Sequence, residues 1–216
     1  MTLIRILLLT CLTCFVSLGA MAQKSAASNK SDLSADKLLS LGDFYFRSND
    51  ISDAADRYYK QAIYSAPGSQ TAGYAQYNRG TYWFRKFYVV REKYSKEDRA
   101  ALVEAEGQFF DFIDKFADQT GTVGLLADAE FYLALVYLQQ GKREHAVGWL
   151  NQMAAEAVKR DKMVYVYKVV WSAKPGDIVD RNVDSAQLAR YAAGLIQKGG
   201  DADAVVHDIK RWCQKQ

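Results

Sequence analysis

An all-α chain, built as a right-handed solenoid of antiparallel helix hairpins and closed by a C-terminal helix pair, is predicted by three features of the sequence. Apolar residues recur three and four apart through most of residues 35–160, the period of one helical face. The breaks between these runs sit near residues 49, 93–95 and 141, at intervals of roughly 45 residues, as stacked two-helix units require. Half of the 216 residues are hydrophobic and only two are proline, which suits a compact helical body.

The chain opens Met1-Thr2-Leu3-Ile4-Arg5, runs apolar from Ile6 to Leu18 and reaches Gly19-Ala20-Met21-Ala22. One positive charge, an apolar core short for a bilayer and a small-residue site predict a signal peptide over 1–22, cleaved near Ala22. An uncleaved N-terminal anchor is the alternative. The small polar stretch 23–34 reads as a flexible linker. Export would leave a periplasmic or secreted protein with no transmembrane span after signal removal. Cys11 and Cys14 fall in the leader, so Cys213 has no internal disulfide partner. It reads as a small hydrophobe on a helix face, with a reactive thiol as the alternative. A net charge of +3, from 28 basic and 25 acidic residues mixed along the chain, argues against nucleic acid or an anionic membrane surface as partner.

Taken in order, residues 35–67 read as the first hairpin: Leu38, Leu39, Leu41 and Tyr45 at helical spacing, a polar elbow at 47–50, then Ala54, Ala55, Tyr58, Tyr59, Ala62 and Ile63 before Pro67-Gly68. The next helix is predicted over 72–91, dense in aromatic residues. Ser95 with Asp98 three residues on suggests a capping box, opening a helix from Lys96 to Asp118 with Leu102, Ala105, Phe109, Phe112, Ile113 and Phe116 inward. A third pair covers 125–140 and 144–158, with Ala129, Leu133, Val136 and Tyr137 inward on its first helix and Gly141 as the elbow. Residues 163–171 have strand composition. A lone strand has no partner in a helical domain, so a helix end with an extended connector is the preferred reading of 161–183. Asp184 or Asn182 caps the next helix, and Asp201 the last, making 184–216 a closing cap.

The hairpins resemble the tetratricopeptide repeat. Leu41-Gly42, Tyr45, Ala55, Tyr59, Ala62 and Pro67 match that family's pattern in the first unit, with Asn49-Asp50 in place of its glycine elbow. Leu133-Ala134, Tyr137, Gly141 and Ala146 match in the third, where Met153 stands at an alanine position and the closing proline is missing. The middle unit keeps the hairpin without the motif, and the repeat is about 45 residues against the family's 34. The resemblance implies a curved stack whose concave surface binds peptides or protein segments. With a leader peptide, it is similar to exported repeat proteins that act as scaffolds in envelope assembly.

Catalytic patterns are sparse. The two histidines, His145 and His207, have no second His or Cys at metal spacing, and no nucleophile elbow or phosphate-binding loop is present. No enzyme activity, metal or cofactor is therefore expected. Gly194-Leu195-Ile196-Gln197 resembles a stretch of lytic transglycosylases, yet no Glu follows Glu156 to act as general acid, so it reads as the apolar stripe of a helix. The candidate binding residues are Tyr74, Arg79, Tyr82, Trp83, Arg85 and Lys86, where rings alternate with cations suited to a glycan or an acidic peptide. The competing reading makes the rings core and the cations a solvated face. The expected function is a non-enzymatic exported adaptor for another envelope protein or peptide, with peptidoglycan binding or cell-wall enzyme action as the alternative.

Overall fold

The computed structural model describes residues 33–48, 52–119, 121–159, 164–170 and 178–215. The expected signal peptide, nearly all of the linker, the Asn49-Asp50 elbow and residues 161–163 and 171–177 of the connector lie outside the described residues. Within them are eight α-helices: α1 (Ala35–Arg47), α2 (Ala54–Ser65), α3 (Gln70–Tyr94), α4 (Arg99–Phe116), α5 (Leu126–Gln139), α6 (Arg143–Lys159), α7 (Ser185–Gln197) and α8 (Ala202–Lys215). Each packs on its neighbours in chain order, and alternate helices also touch: α1 with α3, α3 with α5, α5 with α7. Among the described residues no helix is long and apolar enough to cross a membrane.

Helix α1 begins at Ser34, whose hydroxyl accepts a hydrogen bond from the Lys37 amide at 3.3 Å, a standard way of satisfying an orphan first-turn donor. Its Gly42 lies against α2: a Cβ there would collide with the Tyr59 ring, so only glycine lets the two helices close to this distance. The middle hairpin repeats the device, because a Cβ on Gly80 of α3 would fall 2.6 Å from the Phe109 ring of α4. The close glycine–ring contact of the first hairpin thus recurs in the middle one, with Gly80 and Phe109 in the places of Gly42 and Tyr59.

Two predicted helix starts are corrected. Helix α2 begins at Ala54 rather than directly after the 47–50 elbow, and Asp53 before it takes the left-handed conformation at φ 62°. Ser95 does not cap α4. It takes φ 50° and closes α3, while Asp98 caps α4 by accepting from the Ala101 amide at 3.2 Å. A chain that must turn sharply between two long helices needs a left-handed residue at the first helix end, and that need outweighs the capping-box pattern. Gly141 performs the same task after α5, at φ 78°. The Lys142 amide bonds back to the Tyr137 carbonyl at 2.8 Å, and the Gly141 amide to Leu138 at 3.0 Å.

Helix α5 is the centre of the core. Every residue from Leu126 to Leu138 is buried, not only the stripe Ala129, Leu133, Val136 and Tyr137. A helix apolar on nearly every side, with Asp128 and Glu130 its charged residues, belongs inside a protein, and α5 is surrounded by α3, α4, α6, α7, α8 and the first strand. That strand brings a further correction. Val164–Val170 (β1) and Ile178–Asp184 (β2) form an antiparallel pair, with Val164 opposite Asp184 and Val170 opposite Ile178. The connector expected to be a helix end with an extended tail is therefore a β-hairpin inserted into the helical body. A strand at 164–170 does not stand alone, because its partner follows only a few residues downstream.

At the C-terminal end, Asp184 caps α7 by accepting from the Gln187 amide at 2.8 Å. Asp201 accepts from the Asp203 and Ala204 amides at 3.0 and 3.3 Å at the start of α8. Asp203 then ties α8 to the body, 2.9 Å from Arg91 of α3 and 3.1 Å from Gln139 of α5. Gly42→Ala and Gly80→Ala are expected to cost about 1–3 kcal/mol each through overpacking. Gly148→Ala, at an α6 position with no atom near the added methyl, should gain up to about 1 kcal/mol of helix propensity. Urea unfolding of the three variants checks the opposite signs.

Candidate functional site

Five of the six residues singled out in the sequence converge on the seam where α3 meets the α1–α2 hairpin. Arg79 is buried, and its Nε lies 2.8 Å from Asp56 Oδ1. Trp83 Nε1 donates to the same oxygen at 2.9 Å. Tyr82 donates to Asp53 Oδ1 at 2.9 Å and accepts from the Asp53 amide at 3.1 Å. Lys86 Nζ is 2.5 Å from Asp53 Oδ1 and 4.5 Å from the centre of the Trp83 ring. Arg85 donates through Nη1 to the Phe46 carbonyl and lies over the Phe46 ring at 4.8 Å, at the negative end of the α1 dipole. Tyr74 stands apart from the others and donates to the Gly121 carbonyl at 2.9 Å.

These contacts answer why the cations alternate with rings. The left-handed Asp53 makes no side-chain cap on the first turn of α2, and its carboxylate meets Tyr82 and Lys86 instead. Two acids on the α2 entry thus meet two cations and two ring donors from α3. Neither sequence reading fits fully, since Arg79 and Arg85 are buried along with the rings. Burial raises the Tyr82 hydroxyl well above its ordinary pKa, with the hydrogen bond to Asp53 adding to it, and lowers that of Arg85. Asp43 of α1 joins the seam nearby, accepting from Tyr59 at 2.9 Å and Asn78 at 3.0 Å. The seam joins α3 to the α1–α2 hairpin, with Arg79 and Asp56 buried in it and the Asp53 carboxylate half exposed at its edge.

Other titratable groups are also placed by burial. Cys213 is fully buried, and that burial pushes its thiol up to about 11, which disfavours the nucleophilic thiolate. His207, on the same helix, is exposed. On α5, Asp128 accepts from Tyr77 within the core, and burial pushes its carboxyl up to about 7.

A second surface was not found from the sequence. On α4, Val103 and Phe110 are 63% and 39% exposed. Phe110 meets Trp149 of α6 edge to face at 5.5 Å and Tyr137 of α5 at 6.5 Å. His145 lies 5.3 Å from the Tyr137 ring. Lys142 sits over that ring at 5.2 Å and 3.7 Å from Glu106, which also accepts from Gln140 at 2.7 Å. Burial and Glu106 raise the Tyr137 hydroxyl to about 12. The available signal was that Val103 and Phe110 fall off the apolar stripe that accounts for Leu102, Ala105, Phe109 and Phe112.

No family model matches the chain, and no curated protein or solved structure matches it either. The geometry therefore carries the functional reading alone.

Two measurements test these assignments. Asp56→Ala leaves Arg79 buried without its carboxylate and should cost about 3–5 kcal/mol in urea unfolding, well above the loss from Trp83→Phe, which removes one hydrogen bond. Asp128 should make stability fall as pH rises from about 4 to 7. In that window the folded protein holds a proton that the unfolded chain has released, giving a slope of up to about 1.4 kcal/mol per pH unit. Thermal unfolding of Asp128→Asn between pH 4 and 8 should lack that component.

Proposed function

We propose that this chain is a non-enzymatic exported adaptor, which holds another protein or peptide of the cell envelope on a helical-repeat surface. The observation that carries the reading is the recurrence of one packing contact: glycine on the first helix against an aromatic ring on the second, in both the α1–α2 and the α3–α4 hairpins. Chain-ordered packing with contacts between alternate helices suits a stack of such units, in which each repeat buries the face its neighbour exposes. The helical-repeat likeness of Leu41-Gly42, Tyr59 and Ala62 supports the same view, and the leader-like segment 1–22 supports export. In this reading α7 and α8 close the stack, with α8 held on α3 and α5 by Asp203.

The cell-wall alternative draws less support. Tyr82 and Trp83, the rings on which it rested, direct their polar atoms to Asp53 and Asp56. Crosslinking the processed chain in envelope extracts and identifying what it recovers tests the adaptor reading. A specific protein partner is the expected result. Failure to recover one, together with turnover of a cell-wall substrate, overturns it.

A further inference from the structure

We propose that the outer face formed by α4 and α6 is a docking surface for a basic amphipathic helix of another envelope protein. This rests on the adaptor reading and names the place and chemistry of the contact. Val103, Gly107 and Phe110 are exposed at four- and three-residue spacing along one face of α4, the spacing by which a helix presents anchors to another helix. Phe110 extends the patch onto Trp149 of α6, so the exposed apolar surface is contiguous rather than scattered.

The glycines sharpen the reading. At Gly42 and Gly80 this chain uses a mid-helix glycine to seat an aromatic ring of the adjoining helix. Gly107 on α4 and Gly148 on α6 are also mid-helix, both exposed, and no heavy atom lies within 4 Å of an added Cβ at either. A glycine in an exposed helix lowers helix stability, and nothing packed in the fold offsets that at these two positions. Close approach of a partner's backbone or side chain does.

Charge indicates the partner's character. Glu104, Glu106, Asp111 and Asp114 surround the patch on α4, and Glu144 stands one turn before Gly148 on α6. Against them stand Arg99, Lys115, Lys142 and Arg143; Lys115 lies 2.5 Å from Asp111, Lys142 3.7 Å from Glu106 and Arg99 3.1 Å from Glu97, while Arg143 is turned to the Ile196 and Gly200 carbonyls. The excess is negative, which favours lysine or arginine on the flanks of the incoming helix. A sugar fits less well, since the Phe110 and Trp149 rings meet at 73° and offer no shared flat face for stacking.

The test titrates the full chain with two synthetic amphipathic peptides of identical leucine spacing, one flanked by lysine and one by glutamate. The lysine peptide should bind, weakening about tenfold or more as salt is raised well past physiological strength, and the glutamate peptide should not. Phe110→Ala should lower affinity about tenfold. Gly107→Gln should raise the melting temperature while lowering affinity, a combination that a purely structural role does not produce. Equal binding of both peptides, unchanged affinity in both variants, or binding of a peptidoglycan fragment that Phe110→Ala abolishes overturns the proposal. In envelope crosslinking, a partner kept by the Phe110→Ala, Gly107→Gln double variant overturns this surface and leaves the adaptor reading standing. No partner with the wild-type chain overturns both.

Discussion

Everything else in this fold depends on how closely its helices approach, and mid-helix glycines, Gly42 and Gly80 foremost, set that distance. With Gly42 against Tyr59 and Gly80 against Phe109, the ring of one helix lies on the bare backbone of the other. The consequence reaches the polar groups. Tyr59, seated on Gly42, extends its hydroxyl to Asp43, which also accepts from Asn78 of α3. Phe109, seated on Gly80, stacks on Tyr132 of α5 at 5.5 Å and nearly parallel. Each close contact thus positions the next helix, and the chain-ordered packing follows from steric fit between adjacent elements.

The acids at the start of α2 show how strongly charged residues serve architecture here. Asp53 and Asp56 draw in Tyr82, Trp83, Arg79 and Lys86 from α3. A buried ion pair stabilises little relative to a well-packed apolar pair, yet its loss on one side is expensive, so such groups specify arrangement more than they add stability. Their presence in a row of alternating rings and cations had suggested a recognition surface. That pattern belongs equally to a helix which must satisfy acids on one neighbour and rings on another. The partner acids lie 23 and 33 residues away in sequence for Arg79 and Lys86, beyond the reach of any local pattern.

The helices themselves were largely legible. Apolar period placed α1, α5, α6, α7 and α8 near their observed positions, and the cap at Asp201 is local enough to read directly, whereas at α7 the structure chooses Asp184 over Asn182. Misreadings occurred where a local pattern competed with a tertiary demand. Ser95 fits a capping box but serves a turn between two long helices. Ile178–Asp184 is too polar to suggest a strand alone, and pairs because β1 is already extended beside it. The patch at Val103, Phe110 and Trp149 was hidden for another reason: exposure is a property of what does not cover a residue, and sequence periodicity reports only what repeats.

By itself the sequence determined helical character and the position of most helix breaks, since both follow from residue type and short-range order. The tertiary structure decided which glycines seat a ring and which stand open, which cations are buried, and that α5 is enclosed on every side. Those outcomes depend on contacts between residues distant in the chain, whose strength is set by distance and burial. Gly42 and Gly107 are the same residue in the same kind of helix, and they differ only in whether another part of the fold comes to lie on them.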